Sequence, residues 1–318
     1  MICYTGEKDK VIMRNVFASS LVELIEKDKN VMYLDADLMN SIGTLNLMSE
    51  YKDNVVNCGI QEANMVGVAA GLSAVGKIPY VHTFGPFASR RCFDQVFLSS
   101  AYAKNPVHVF GSDPGVTAAF NGGTHMPFED VAMYRTIPEA VIFDVADTVS
   151  LHEAMLMVKD INAVTYVRFP RKDSVKVYSE GTKFEVGKAK VLREGKDLTV
   201  VASGIMIAEA LGAAEKLAKE GIDVEVIDPV TVKPLDVKTI VESAKKTGAV
   251  LTAENANILG GMGGAVCEAL AENYPVPAVR VGVEDKFGEV GPEGYLREKF
   301  ELTQDKIILK AKEVLKRK

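Results

Sequence analysis

The sequence predicts an α/β protein built from two parallel-sheet domains in series. Three observations predict it. Short runs rich in Val, Ile, Tyr and Phe alternate with helix-length segments about six times before residue 172. A polar stretch at 172–190 follows, carrying Gly181 and Gly187, and reads as a linker. The alternation then resumes on a smaller scale as far as residue 283. A chain of 318 residues has room for two separate cores. The first domain is therefore placed at 8–175 and the second at 190–318.

In order, residues 12–27 read as an amphipathic helix. Val31-Met32-Tyr33-Leu34 runs into Asp35-Ala36-Asp37-Leu38, the form of a buried parallel strand whose carboxyl end meets a site. Val55–Asn57 leads into Gly59 to Gly71, a small-residue helix with one carboxylate, Glu62, near its start. Its glycines and alanines let neighbouring backbones come close, and an acid in the first turn suits the helix dipole. Ile78 to Phe84 is a strand that feeds a helix expected from about Phe87 to Ala103. Val107 to Gly111 leads into a Gly-rich loop. Ala140–Asp144 precedes a helix near 148–160, and Ala163 to Arg168 is a further strand. In the second half, strands are expected at 198–202, 224–227, 249–253 and 278–283. Helices are expected at 206–220, 236–246 and 262–273.

Composition narrows the function classes. Apolar residues make up 47% and charged residues 25%, ordinary for a globular protein. The net charge of −6, with no basic run beyond a short Lys-rich C-terminus, gives nucleic-acid binding no electrostatic support. Cys3, Cys58, Cys92 and Cys267 are scattered without metal-ligand spacing and read as free thiols. No signal peptide and no membrane-length apolar run is found, so a cytoplasmic location is expected.

Several residues have the chemistry of a site. Glu62 reads either as a helix-start charge or as an acid facing a dry pocket. Phe84 and Phe87, at i and i+3 beside a strand end, form either core or a wall for a flat ring. His125, closing Gly122-Gly123-Thr124-His125, reads either as a structural histidine or as an acid/base group suited to proton transfer near neutral pH. Arg168 and Arg171 flank Phe169-Pro170 and offer a forked anion contact or a surface salt bridge. Arg14 and Ser41 would qualify as anion ligands, though nothing local singles them out. Gly260-Gly261-Met262-Gly263-Gly264 resembles a phosphate cradle but lacks the downstream features of a dinucleotide site. It reads as a tightly packed helix start.

The order of these elements carries a resemblance. Asp35-Ala36-Asp37-Leu38, Gly59-Ile60-Gln61-Glu62, Met65 to Gly71, Thr83-Phe84 with Phe87, Phe93-Asp94-Gln95, Gly123-Thr124-His125 and Arg168-Phe169-Pro170-Arg171 together resemble the transketolase family. Phe287-Gly288-Glu289-Val290-Gly291 resembles its C-terminal domain. The likeness covers the pyrimidine-binding and C-terminal domains. The family's Gly-Asp-Gly…Asn motif for magnesium and diphosphate does not occur in this sequence. The resemblance therefore implies the C-terminal subunit of a split transketolase. The thiamine diphosphate and magnesium site would be completed by an N-terminal subunit in an α2β2 assembly.

The resemblance also implies roles. Glu62 matches the glutamate that hydrogen-bonds N1′ of the aminopyrimidine. Phe84 and Phe87 match the aromatics against that ring, and Asp37 an acid near the thiazolium. His125 matches a histidine that handles substrate hydroxyl protons, and Arg14, Ser41 and Arg171 match the sugar-phosphate cluster. Three departures fall on the substrate side. Asp113 stands where the family has a histidine, and Phe120-Asn121 replace Glu-Asp. Met126 follows His125 in place of glutamine. With Asp113 and Asn121 in the substrate set, an unusual donor is expected: a branched sugar phosphate, or a sugar whose terminal anion is not phosphate.

Rival readings are the β subunit of a 2-oxoacid dehydrogenase, deoxyxylulose-phosphate synthase, and a non-catalytic regulatory half. The Gly-Thr-His loop and Phe-Pro-Arg element fit transketolase better.

Overall fold

The structure, a computed structural model, describes residues 2–318. Its α/β architecture matches the fold class read from the sequence. Six parallel strands build most of the first sheet: β1 (Val31–Asp35), β2 (Val55–Asn57), β3 (Ile78–Phe84), β4 (His108–Ser112), β5 (Val141–Asp144) and β6 (Thr165–Phe169). The second half contributes β7 (Lys190–Arg193), β8 (Leu198–Ala202), β9 (Val224–Asp228), β10 (Thr231–Lys233), β11 (Val250–Asn257) and β12 (Ala278–Val283). The first sheet runs β10-β5-β6-β4-β3-β1-β2 and the second β12-β11-β8-β9-β7. Every residue of β1, β4, β5 and β6 is buried, which is why these strands read as unbroken apolar runs.

The two sheets share packing. On one face of the first sheet, Phe17 and Leu21 of the helix Met13–Lys27 and Leu151 and Met155 of the helix Thr148–Val158 meet Tyr33, Phe110 and Val167. On the other face lies Glu62–Ala74, together with two helices from the second half, Val237–Thr247 and Met262–Asn273. One apolar cluster runs through them, holding Met65 and Val81 beside Val201, Ile227 and Val250 of the second sheet. β10 also crosses over, pairing antiparallel with β5. Runs of three and four residues cannot announce themselves by pattern, so β10 and the short β7 are not legible in the sequence.

Two expectations change. The helix expected from Phe87 to Ala103 is three pieces: Gly85–Ala88, Phe93–Gln95 and a wider-wound π segment at Val96–Tyr102. Ser89 Oγ donates back to the Gly85 carbonyl at 2.8 Å, and the backbone at Ser89 leaves the helical region. The stretch read as a linker is strapped down instead. Tyr178 is fully buried, Asp147 accepts from the Val177 and Tyr178 amides, and Ile2 bridges to Tyr178.

Arg168 fixes the junction of the two sheets and is not the anion ligand its position offered. It is fully buried on β6, donating to Asp130 at 3.0 Å, Asp144 at 3.2 Å and the Asn255 carbonyl at 3.1 Å. Ser203 donates to the same Asp144 oxygen at 2.7 Å. The Asn255 side chain holds both the Pro114 carbonyl and the Val116 amide. Breaking a buried ion pair strands its partners without solvent. Arg168→Met is therefore expected to cost about 3–5 kcal/mol in a chemical-denaturation measurement. A loss below about 1 kcal/mol would show that the clamp is not what holds the sheets together.

Candidate active site

The strand order reverses at β1, with β2 on one side and β3 on the other. In open α/β sheets, ligands bind outside the carboxyl ends at such a switch point. The carboxyl ends of β1, β3, β4 and β6 deliver Asp37, Phe84, Asp113 and Arg171 to this edge. Beneath them lies a buried polar floor. Asp35 accepts from Tyr33 at 2.7 Å and pairs with His82 Nδ1 at 2.7 Å; His82 Nε2 reaches Ser112 Oγ at 3.0 Å. The two His82 contacts tie the end of β3 to those of β1 and β4, so the floor fixes how the loops above leave the sheet.

Most of the sequence-selected residues lie in one row of contacts. At one end Glu62 is only 2% exposed, in the first turn of its helix. Its Oε1 accepts from Arg91 Nη1 at 2.7 Å, and its buried Oε2 has no hydrogen-bond partner among the described residues. The Arg91 guanidinium lies 3.8 Å from the centre of the Phe87 ring. His125 meets Phe87 edge-on at 5.1 Å and Phe84 at 5.9 Å. Phe84 and Phe87 do not stack on each other; their centroids are 6.2 Å apart. The Arg171 guanidinium caps Phe84 at 4.7 Å.

Beyond Phe84 the row becomes polar. Arg171 donates from Nε to Asp113 Oδ2 at 2.6 Å, and its Nη2 lies 2.6 Å from the same oxygen. Arg171 Nη1 and Arg14 Nη1 both reach the Ser41 carbonyl, at 3.3 and 3.4 Å. Asp113 therefore does not stand alone; it half-neutralises the arginine pair. Asp37, at positive φ, accepts from Asn57 at 3.1 Å, and Asn57 also holds the Gly59 amide before Glu62. Asn121 and Phe120 are exposed on the loop that ends at His125. That loop is pinned from the second half of the chain, where a Cβ on Gly123 would lie 2.2 Å from the Gly288 carbonyl. Only glycine allows so close an approach.

The Gly-rich helix start at 260–264 is filled from within. Buried Glu254 accepts from the Met262 and Gly263 amides, so the chain's own carboxylate occupies the place of an external anion. Arg91 is the residue that sequence reasoning missed. As one of two adjacent arginines in an expected helix, it gave no signal; the break at Ser89 turns it toward Glu62. Among the described residues no group of three or more His, Cys, Asp or Glu side chains converges as a metal site. None of the helices described is long and apolar enough to cross a membrane.

The family follows from comparison. Residues 9–175 match the transketolase pyrimidine-binding domain model, and 187–307 match the transketolase C-terminal domain model. The chain belongs to the transketolase family. It is 49% identical over 306 residues to the 6-deoxy-6-sulfo-D-fructose transketolase subunit SqwH of Clostridium sp. (strain MSTE9), covering 96% of this chain and 95% of that one. It is 33% identical to the transketolase of Mus musculus, over 94% of this chain but 48% of that protein. Among solved structures it resembles a split gene transketolase in an inactive beta4 tetramer. There the TM-score is 0.90 at 39% identity, covering 98% of this chain and 100% of that one.

Electrostatics sets the state of His125. Partial burial and the Arg91 charge push its pKa below the ordinary 6.5, while Asp113 pulls it back up. The ring is therefore neutral at pH 7. In an NMR titration of the His125 ring, Arg91→Ala should raise the midpoint and Asp113→Asn should lower it further. Shifts of opposite sign would show that the row of contacts is not assembled as described.

Proposed function

We propose that this chain is the C-terminal subunit of a two-subunit, thiamine diphosphate-dependent transketolase. It would transfer a two-carbon ketol unit from a ketose bearing a terminal sulfonate to an aldose. The observation that carries the reading is the row itself: a buried acid with one unpartnered oxygen, an aromatic wall, an imidazole, and a half-neutralised arginine pair.

The residues present fit the ring of the cofactor. Glu62 Oε2 is a buried acceptor without a partner among the described residues, and the Phe87 ring, whose face Arg91 covers, lies beside the same carboxyl group. When bound, thiamine diphosphate supplies the electron sink for the transferred unit. This chain's tasks are narrower. Glu62 holds a proton at the ring nitrogen. Phe84 and Phe87 orient the ring, and Asp37 lies toward the thiazolium side. His125, neutral at pH 7, exchanges protons with substrate hydroxyls. Arg14, Ser41 and Arg171 hold the terminal anion, with Asn121 at the rim. Magnesium and diphosphate would be held by the N-terminal partner subunit, and the pair would double to α2β2. Supporting this, the Glu62 helix carries exposed Val68 and is flanked by exposed Ile60 and Val75. Nothing lies within 4 Å of an added Cβ at Gly67 or Gly71. A second subunit's backbone can approach there.

Asp113 supports the sulfonate. Two arginines and one carboxylate leave one net positive charge. A phosphate monoester carries a charge of about −1.5 to −2 at pH 7, its second pKa being near 6. A sulfonate remains a monoanion and offers three acceptor oxygens. The relative whose name includes 6-deoxy-6-sulfo-D-fructose is the one 49% identical to this chain.

Two substitutions test the reading in the reconstituted pair. Glu62→Gln should lower turnover by about 100-fold or more while the assembly, read by light scattering, stays intact. Survival of turnover would remove Glu62 from its role. Asp113→Asn should raise kcat/KM for fructose 6-phosphate relative to the 6-sulfonate roughly tenfold. An unchanged ratio would mean that Asp113 does not set the preference.

A further inference from the structure

Arg91 occupies the place that the proposed reading gives to the aminopyrimidine. Its guanidinium is flat, lies 3.8 Å over the Phe87 ring and donates to Glu62 at 2.7 Å. A ring stacked on Phe87 and bonded to Glu62 needs the same face and the same carboxyl group. On that face of the Phe87 ring the guanidinium and the cofactor ring compete, while Glu62 Oε2 stays without a partner among the described residues. The neighbouring arginine does something different: Arg90 is tied to the 124–129 segment through Glu129 at 2.9 Å and the Thr124 carbonyl at 3.4 Å.

We propose that Arg91 is a placeholder. In the free subunit it covers the Phe87 face and neutralises the buried Glu62 carboxylate, and it swings out when the cofactor ring enters. Three features permit this. The Arg91 side chain is 45% exposed, so it can leave without opening the core. It sits in the non-helical turn between Ala88 and Phe93, outside any regular helix. Glu62 is 2% exposed, so without a counter-charge its carboxylate would be both buried and unpaired before the cofactor arrives. The placeholder keeps the acid in position and dry, at the cost of competing with the ligand. A flat cation does this better than a compact one, because it satisfies the aromatic face and the carboxylate together.

The proposal rests on the thiamine diphosphate reading, and the test separates the two. Thiamine diphosphate binding to the magnesium-containing, reconstituted two-subunit assembly is measured by calorimetry, which needs no turnover. Arg91→Ala should bind roughly tenfold more tightly than wild type, from loss of one exposed cation–π contact and one ion pair in the competing state. Arg91→Lys, which still pairs with Glu62 but lacks the flat face, should fall between. The thermal midpoint of the Arg91→Ala assembly without cofactor, compared with wild type, checks that the variant is folded. Equal or weaker binding by a folded Arg91→Ala assembly overturns the placeholder and leaves the cofactor reading standing. Absence of binding by both wild type and variant overturns the cofactor reading and the placeholder with it.

Discussion

A single buried guanidinium governs how this molecule holds its shape. Arg168 sits on β6, between β5 and β4 in the first sheet, with no access to water. Such a charge is tolerable only with close partners, and it finds them on three different segments. Asp130 opens the helix Asp130–Arg135, Asp144 comes from the end of β5, and the Asn255 carbonyl from the second sheet. Burial pushes the Asp144 carboxyl up and Arg168 pulls it down. Because the same three segments meet at one cation, the relative position of the two sheets and the course of the 113–125 loop are set together.

That coupling explains why the site can depend on side chains far apart in sequence. Asn255 grips the backbone on both sides of Gly115, immediately beyond Asp113. Gly288 touches Gly123, two residues before His125. The second half of the chain thus contributes no side chain to the row from Glu62 to Arg14, yet it fixes the loop that carries two members of that row. Under this arrangement the electrostatics also become ordered along the row. A carboxylate and an arginine stand at each end, with a neutral imidazole and two phenyl rings between them. The ends can bind charge while the middle stays apolar.

Much of this was legible in the chain. Runs such as Val31–Leu34 and Val107–Gly111 read as buried parallel strands because both faces of the sheet are covered, and they are strands. The residues that resemble the transketolase motifs do converge: Glu62, Phe87, His125, Phe84, Arg171, Ser41 and Arg14 are linked contact by contact. What misled was local periodicity. The apolar pattern after Phe87 suits a helix, but Ser89 bonds back to Gly85 and breaks it. Arg168 had the look of an anion ligand, because sequence does not reveal that two aspartates arrive to bury it. The glycine run at 260–264 had the look of a cradle, because sequence does not reveal Glu254 beneath it.

By itself, then, the sequence determined the parallel strands, though not the antiparallel β7 and β10, and the family, because these rest on side-chain periodicity and on short motifs of fixed spacing. Only the tertiary structure decided which charges meet. Asp113 against Arg171, Glu62 against Arg91 and Arg168 between Asp130 and Asp144 join residues 24 to 58 positions apart. Pairing at that range depends on how strand ends and loops converge in space, and no local pattern encodes it.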